Sequence, residues 1–352
     1  MSATRQRRYR RLLSTVVCAA GATVLVAGCT SNSSDESAQV ASGGNNAASA
    51  NDDQGKQVTI GFSAPAADHG WMAAITNAAK AQAEKYKDVK LNVAEGTNDV
   101  NAQISQVETF INQKVDAIVL LPFDGAALTP VAQKAMDAGI PVINVDRQFD
   151  TVTAARATVL GDNYGMGQSA GTYVCSRLKD KPNAVVAEIA GIDSLPLTQD
   201  RSRGFKDALG KCGLKVTNRV AAQFTVESGE SAASNLLQAA PKIDAIWNHD
   251  DDQGVGVLAA IKNSGRKEFF MVGGAGSANA MRSIKAGDSV LQATVVYPST
   301  QAADGVRLAR LLAQGKALSD LVEVEVPKQI TLSAPVVTKD NVDQYLGTAF
   351  ES

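Results

Sequence analysis

The chain lacks most of what catalysis, nucleic-acid binding or membrane insertion would need. It has only two histidines, His69 and His249, and no His-Glu-x-x-His helix. Nucleophilic and metal-dependent hydrolysis therefore find no support, and no catalytic residue is assigned. Lys and Arg number 34 against 36 Asp and Glu, so no charge excess draws the chain to nucleic acid or to an anionic surface. The apolar stretch Leu12 to Ala27 is broken by small and polar residues and is too short for a comfortable membrane span. Cysteine is scarce, with four in 352 residues. What remains is the composition of an ordinary soluble protein, 45% hydrophobic and 20% charged, long enough for two domains.

The first residues read as an export signal. Arg5, Arg7, Arg8, Arg10 and Arg11 form a basic region ahead of the apolar stretch, as in a secretory signal. Val26-Ala27-Gly28-Cys29 then resembles the lipobox of bacterial lipoproteins. That resemblance implies a signal peptide over 1–28, a lipidated Cys29 and an extracytoplasmic protein anchored to the cell membrane. Residues 30–55 are rich in Ser, Asn, Ala, Gly and Asp, and bury too little to offset the entropy of ordering. With Cys29 they are read as a disordered tether, 29–55. Beyond it only Cys175 and Cys212 remain, each near the end of a predicted helix in the second half. They are either bridged or two buried thiols; export to an oxidising compartment favours the disulfide.

Residues 57–147 and 183–276 spell out one plan twice: a short apolar run, a polar loop and an amphipathic helix, three times over. Val115 to Leu121, a helix ending at Ala138-Gly139, and Pro141 to Val145 match Ile243 to Trp247, a helix ending at Ser264-Gly265, and Phe269 to Val272. Apolar runs too short for helices, alternating with helical periodicity, predict parallel strands with right-handed crossovers. The expected fold is α/β, with two similar doubly wound parallel-sheet domains. Such sheets bind ligands beyond the carboxyl ends of their strands, so two halves imply a cleft between two ligand-facing edges.

The loops at those strand ends supply the candidates. The first strand leads to Asp68-His69-Gly70-Trp71, the third to Phe123-Asp124 and the fourth to Asp146-Arg147. In the second half the corresponding loops carry Asp200-Arg201, Gln223-Phe224 and Asn248-His249-Asp250-Asp251-Asp252. Carboxylates, arginines and aromatics together suit a neutral polyhydroxylated ligand: Asp accepts from hydroxyls, Arg donates a planar fork, and a ring covers a C–H face. Gly165-Met166-Gly167 and Gly254-Val255-Gly256 fit a dinucleotide pattern on paper, but neither has the expected acid about twenty residues on at a second strand end. Close helix–sheet packing is the better reading, and no cofactor is expected. The consecutive residues His249 to Asp252 splay apart on any regular turn, so no metal site is expected there either.

From about Gln57 to Gln329 these positions resemble the periplasmic sugar-binding proteins of ABC importers, in the ribose-binding branch of the type I fold. The sharpest piece is Gly139-Ile140-Pro141-Val142-Ile143-Asn144-Val145-Asp146-Arg147-Gln148. The resemblance implies that Asp146 and Arg147 hold ligand oxygens, joined by Arg201 ahead of Gly204-Phe205, by Phe224, by Asp250 and by Tyr297. In the first loop Asp68 and Trp71 correspond to the family's Asn and one of its aromatics, with His69 the alternate if that alignment shifts by one. Where the family reads Val-Gly-Phe-Asp-Gly, this chain has Val272-Gly273-Gly274-Ala275-Gly276, so one of its hydroxyl-binding aspartates is absent. What carries over is the ligand class, a sugar or polyol, and not ribose itself.

The resemblance also implies a three-strand hinge crossed near Gly161, Pro298 and Pro327. It divides the chain into a first domain of 56–161 with 298–327 and a second of 162–297 with 328–352. The expected partners are a sugar or polyol, the permease subunits of an ABC importer, and the membrane through the lipid. The protein is expected to act as a monomer, with no enzymatic activity. The alternative is a receptor for a sugar-like signalling molecule feeding a sensor or chemotaxis system.

Overall fold

A computed structural model describes residues 51–318 and 325–352. The predicted signal peptide, Cys29 and the tether up to residue 50 lie outside the described residues.

The first sheet is built from β1 (Val58–Ser63), β2 (Val89–Val93), β3 (Ala117–Leu120), β4 (Val142–Val145) and β5 (Ala157–Gly161). Between them come helices α1 (Gly70–Glu84), α2 (Val100–Asn112) and α3 (Gly125–Asp137). Strands β3 and β4 are buried throughout, as expected for near-continuous apolar runs covered on both faces. Asp99 and Asp124 stop the chain from extending further by accepting the Ala102 and Ala127 amides at 2.9 Å, which starts α2 and α3.

The second sheet repeats the scheme with β6 (Val186–Ala190), β7 (Val216–Ala221), β8 (Ala245–Asn248), β9 (Phe270–Ala275) and β10 (Leu291–Val296). Its helices are α4 (Asn163–Arg177), α5 (Pro196–Lys211), α6 (Val226–Ala239), α7 (Asp251–Ser264) and α8 (Ala278–Ala286). The chain then returns to the first domain as α9 (Gln301–Ala313), which packs on α1 and against β3, β4 and β5. It finishes with β11 (Gln329–Leu332), β12 (Val336–Thr338) and α10 (Val342–Tyr345). Strand order is β2-β1-β3-β4-β5-β11 in one sheet and β7-β6-β8-β9-β10-β12 in the other. Every pairing is parallel except β10 with β12. Both sheets thus have the doubly wound arrangement whose strand order reverses beside β1 and β6, where ligands bind.

Between the two domains the chain runs from β5 into α4, from β10 into α9, and from β11 into β12. The third crossing corrects the expectation at Pro327. Strand β11 pairs with β5 from Gln329 to Leu332, so the chain changes domain only after Leu332. This strand alternates exposed and half-buried residues at the sheet's edge, and so lacks the apolar run that marks the interior strands.

Two further corrections concern packing. Residues 51–55, assigned to the tether, are fastened to the first domain. Arg310 donates to the Asn51 and Asp53 carbonyls and forms a fully buried pair with Asp88 at 2.7 Å, while the Gly55 amide bonds Asp88 at 2.6 Å. Of the glycines of the two dinucleotide-like patterns, Gly254 faces Asn248 and Met271 of the sheet as expected, whereas Gly167 and Gly256 serve helix–helix contact. A Cβ on Gly167 would fall 2.0 Å from the Arg201 carbonyl of α5, and one on Gly256 would fall 1.9 Å from the Val226 carbonyl of α6. Cys175 of α4 and Cys212, at the end of α5, form a disulfide with Cα atoms 6.0 Å apart. Closing a loop of 37 residues stabilises by about 4 kcal/mol on the chain-entropy account.

Candidate functional site

Between the carboxyl edges of the two sheets lies a small cavity lined by His69, Trp71, Met72, Asp146, Arg147, Leu197, Arg201, Phe224, Asp250 and Tyr297. Eight of the nine residues expected from sequence are therefore together. Asp68 is not among them: it sits on the rim, bonded to Asn98 Nδ2 at 2.9 Å and to the His69 ring. His69, the one-residue alternate, lines the cavity instead and stacks on Phe224 with centroids 6.3 Å apart.

Each side chain is aimed by its backbone. Asp146 and Phe224 end their loops at φ +64°, a left-handed conformation that costs a non-glycine residue on the order of 1–3 kcal/mol and persists only where the surroundings enforce it. At Asp146 the enforcement is visible in Asn144, whose amide donates to the Arg147 carbonyl at 2.8 Å and accepts from the Phe149 amide at 3.3 Å. At Phe224 the amide donates to Gln253 Oε1 at 3.1 Å.

The two arginines enter from opposite domains. Arg147 follows β4; it donates to the Phe123 carbonyl at 2.6 Å and stands over the Phe123 ring. Its Nε has no hydrogen-bond partner and lies 3.9 Å from Asp146. Burial pulls the Arg147 guanidinium below its usual range, opposed chiefly by Asp146. Arg201, on α5, donates to Asn163 Oδ1 at 2.9 Å and to the His249 carbonyl at 3.1 Å, and covers the Tyr297 ring at 4.5 Å. Tyr297 sits on the second crossing. Its hydroxyl donates to Asp146 and accepts from Asn163 Nδ2 at 3.1 Å; its carbonyl accepts from the Trp71 indole at 3.1 Å. Burial, reinforced by Asp146, pushes the Tyr297 phenol well above its ordinary range.

The polar run after β8 divides its labour. Asp250 caps α7, one oxygen accepting from the Asp252 and Gln253 amides at 2.9 and 3.1 Å. Burial and then the neighbouring Asp252 push its carboxyl up to about 7. Asp251 turns inward to the Gly274, Gly276 and Ser277 amides and the Thr294 hydroxyl, all within 3.0 Å. Asp252 accepts from the Trp71 amide of the other domain at 2.9 Å, and His249 bonds Glu188 at 2.9 Å in the interior. Pointing four ways, these residues cannot enclose one ion.

Sequence reasoning named Asp252 within the loop after β8 but gave it no role, and it missed Asn163. Asn163 opens α4 just past the first crossing, outside the loops that carry the candidates. The Asp252 contact joins residues 181 apart, and no local signal announces it. A second cavity of about 330 Å³ opens beside the first; it shares Asp146, Arg147 and Leu197 but includes none of Arg201, Trp71, Phe224 and Tyr297.

The sequence profile described as a periplasmic binding protein domain matches residues 60–317. The chain belongs to this family. Within it the chain falls in the sugar-binding type I proteins of the ribose-binding branch. It is 30% identical over 264 residues to the ribose import binding protein of Bacillus subtilis (strain 168), covering 73% of this chain and 84% of that protein. It is 33% identical over 216 residues to the galactofuranose-binding protein of Escherichia coli (strain K12), covering 60% and 67%. Among solved structures, an ABC transporter solute-binding protein from Bacillus halodurans C-125 with bound myo-inositol superposes with a TM-score of 0.73 at 27% identity, covering 84% of this chain and 99% of that one. As in these relatives, the role of this periplasmic binding protein is to bind a solute, not to catalyse a reaction.

Proposed function

We propose that the chain captures one neutral sugar or sugar alcohol per monomer between its domains and delivers it to the permease of an ABC importer. The observation that carries this reading is the pair of arginines, Arg147 and Arg201, brought from opposite domains to one small cavity with Asp146, Asp250 and three aromatic rings. Hydroxyls can accept from either guanidinium and donate to either carboxylate, while Trp71 and Phe224 cover the carbon face. A ligand touching both edges gains affinity only when the domains approach, and that difference is what favours the closed form. Ribose, galactofuranose and myo-inositol, the ligands in the names of the three relatives, are all of this chemical class.

The test is a thermal-shift screen of pentoses, hexoses and polyols of three to six carbons, with amino acids and peptides as controls. A ligand at a hundredfold excess over its dissociation constant stabilises by about 2.7 kcal/mol. A melt shifted by amino acids or peptides and by no polyol refutes the reading. The reading includes a lipid on Cys29 that holds the protein at the outer face of the cell membrane. Cys29→Ser then releases it from membranes with ligand affinity unchanged; a variant that stays membrane-bound contradicts the anchor.

A further inference from the structure

We propose that Tyr297 limits the length of the ligand, so that the preferred ligand is an open-chain polyol of three or four carbons rather than a sugar ring. The inference rests on the reading of the cleft as a polyol site and narrows it. The cavity at the centre of the cleft measures about 20 Å³. About 10–15 Å³ is needed to hold one water, so the closed centre has room for little more than that. A furanose or pyranose needs far more space, and a short polyol needs the smallest parting of the domains.

The space is taken up by a ring that is built in. Tyr297 is 3% exposed and is held from every side. Its amide donates to the Ala275 carbonyl at 3.0 Å, its carbonyl accepts from Trp71, and its hydroxyl joins Asp146 to Asn163. Arg201 covers one part of the ring at 4.5 Å and Trp71 another at 5.4 Å. The slot it occupies depends on Gly161 at the first crossing, where a Cβ would fall 2.0 Å from the Tyr297 ring. Two of the three crossing segments therefore cooperate to seat one phenol in the middle of the site. That phenol already uses an oxygen of Asp146 and the face of Arg201, two of the features a ligand would use. It stands where a longer ligand would place a hydroxyl and the carbons beyond it, and leaves Asp250, His69 and Arg147 for a shorter one. The neighbouring cavity of about 330 Å³ meets the site through Asp146, Arg147 and Leu197 and is lined by Gly161 and Asn163, but it reaches none of Arg201, Asp250, Trp71 and Phe224.

Calorimetric titration of the full chain with glycerol, erythritol, threitol, xylitol, ribose and glucose reads the effect directly. The best three- or four-carbon polyol is expected to bind at least tenfold more tightly than any five- or six-carbon ligand. Tyr297→Gln is expected to shrink that ratio at least tenfold, whereas Tyr297→Phe, with the same ring volume, keeps it even as overall affinity changes. Tyr297→Leu is the companion variant should Tyr297→Gln fail to melt cooperatively, and it is expected to shrink the ratio likewise. A wild-type preference for a five- or six-carbon ligand overturns the proposal and leaves the polyol reading standing, as does a ratio unmoved in the folded Gln or Leu variant. Absence of binding to any polyol or sugar overturns both.

Discussion

Strand β4 of the first sheet and β9 of the second occupy the same place in the strand order, and their ends carry different side chains on the same backbone bend. Both finish in a left-handed residue, Asp146 at φ +64° and Ala275 at φ +85°. In the first domain the bend is tied down from within by the Asn144 amide group. In the second it is tied from outside by Asp251, which gathers three loop amides and the Thr294 hydroxyl; burial pushes its carboxyl up to about 7 against those donors, which favour the anion. The bend is thus kept by the scaffold whether or not the residue on it carries a carboxylate. Ligand preference can change at such a position without altering the fold. The domains differ in the same way elsewhere: a buried ion pair, Arg310 with Asp88, fastens the first, and a disulfide the second.

Four experiments break or sharpen this comparison. The largest effect is expected from Arg310→Ala, which leaves the buried Asp88 without its ion-pair partner and removes the guanidinium's bonds to the Asn51 and Asp53 carbonyls. It is expected to cost roughly 3–5 kcal/mol in urea unfolding, with the disulfide intact. A cost below 1 kcal/mol would show that the clasp contributes little. Arg147→Ala, at the end of β4, removes a buried donor whose partners are then left unpaired. It is expected to weaken ligand binding by roughly 2–4 kcal/mol in calorimetry and to leave the unfolding cooperative.

Ala275→Asp restores the carboxylate at the end of β9 on a backbone that aspartate tolerates. It is expected to move the ratio of ribose affinity to that of the preferred ligand by about 1–2 kcal/mol toward ribose. An unchanged ratio in the folded variant places specificity elsewhere. The smallest effect concerns Asp250, whose folded carboxyl keeps its proton up to about 7. The unfolded chain gives that proton up near pH 4, so wild-type stability falls as pH rises from about 4 to 7 on account of this group. Asp250→Asn, which can still cap α7, is expected to gain on wild type through that window by some fraction of the limiting ~1.4 kcal/mol per pH unit, and to level off above it. Urea unfolding of both proteins at pH 5, 6, 7 and 8 reads the slope; a difference that does not grow with pH contradicts the raised carboxyl.

Much of this was legible in the sequence because it is local. Buried runs such as Ala117–Leu120 and Val142–Val145 mark interior parallel strands, and the side chains just beyond them are the cleft by topology alone. What escaped depends on distant partners. Strand β11 is recognisable only by its pairing with β5. The order of residues 51–55 comes from Arg310, more than 250 positions away. Asp68 and His69 are adjacent, and only the stacking of His69 on Phe224 decides between them as cavity-lining residues. Asn163 has no alternating pattern around it; its role follows from the meeting of Arg201 and Tyr297 across the hinge.

The clasp at Arg310 also has a mechanical meaning. The chain reaches β1 through residues 51–55, and it is made fast there to the start of β2 and to α9, all within the first domain. A pull arriving along the preceding residues is carried by a guanidinium and a carboxylate at the end of the sheet away from the cleft. None of the three crossing segments lies in the path of that force. The crossing segments can flex without disturbing the clasp, and a force applied at residue 51 does not pass through them.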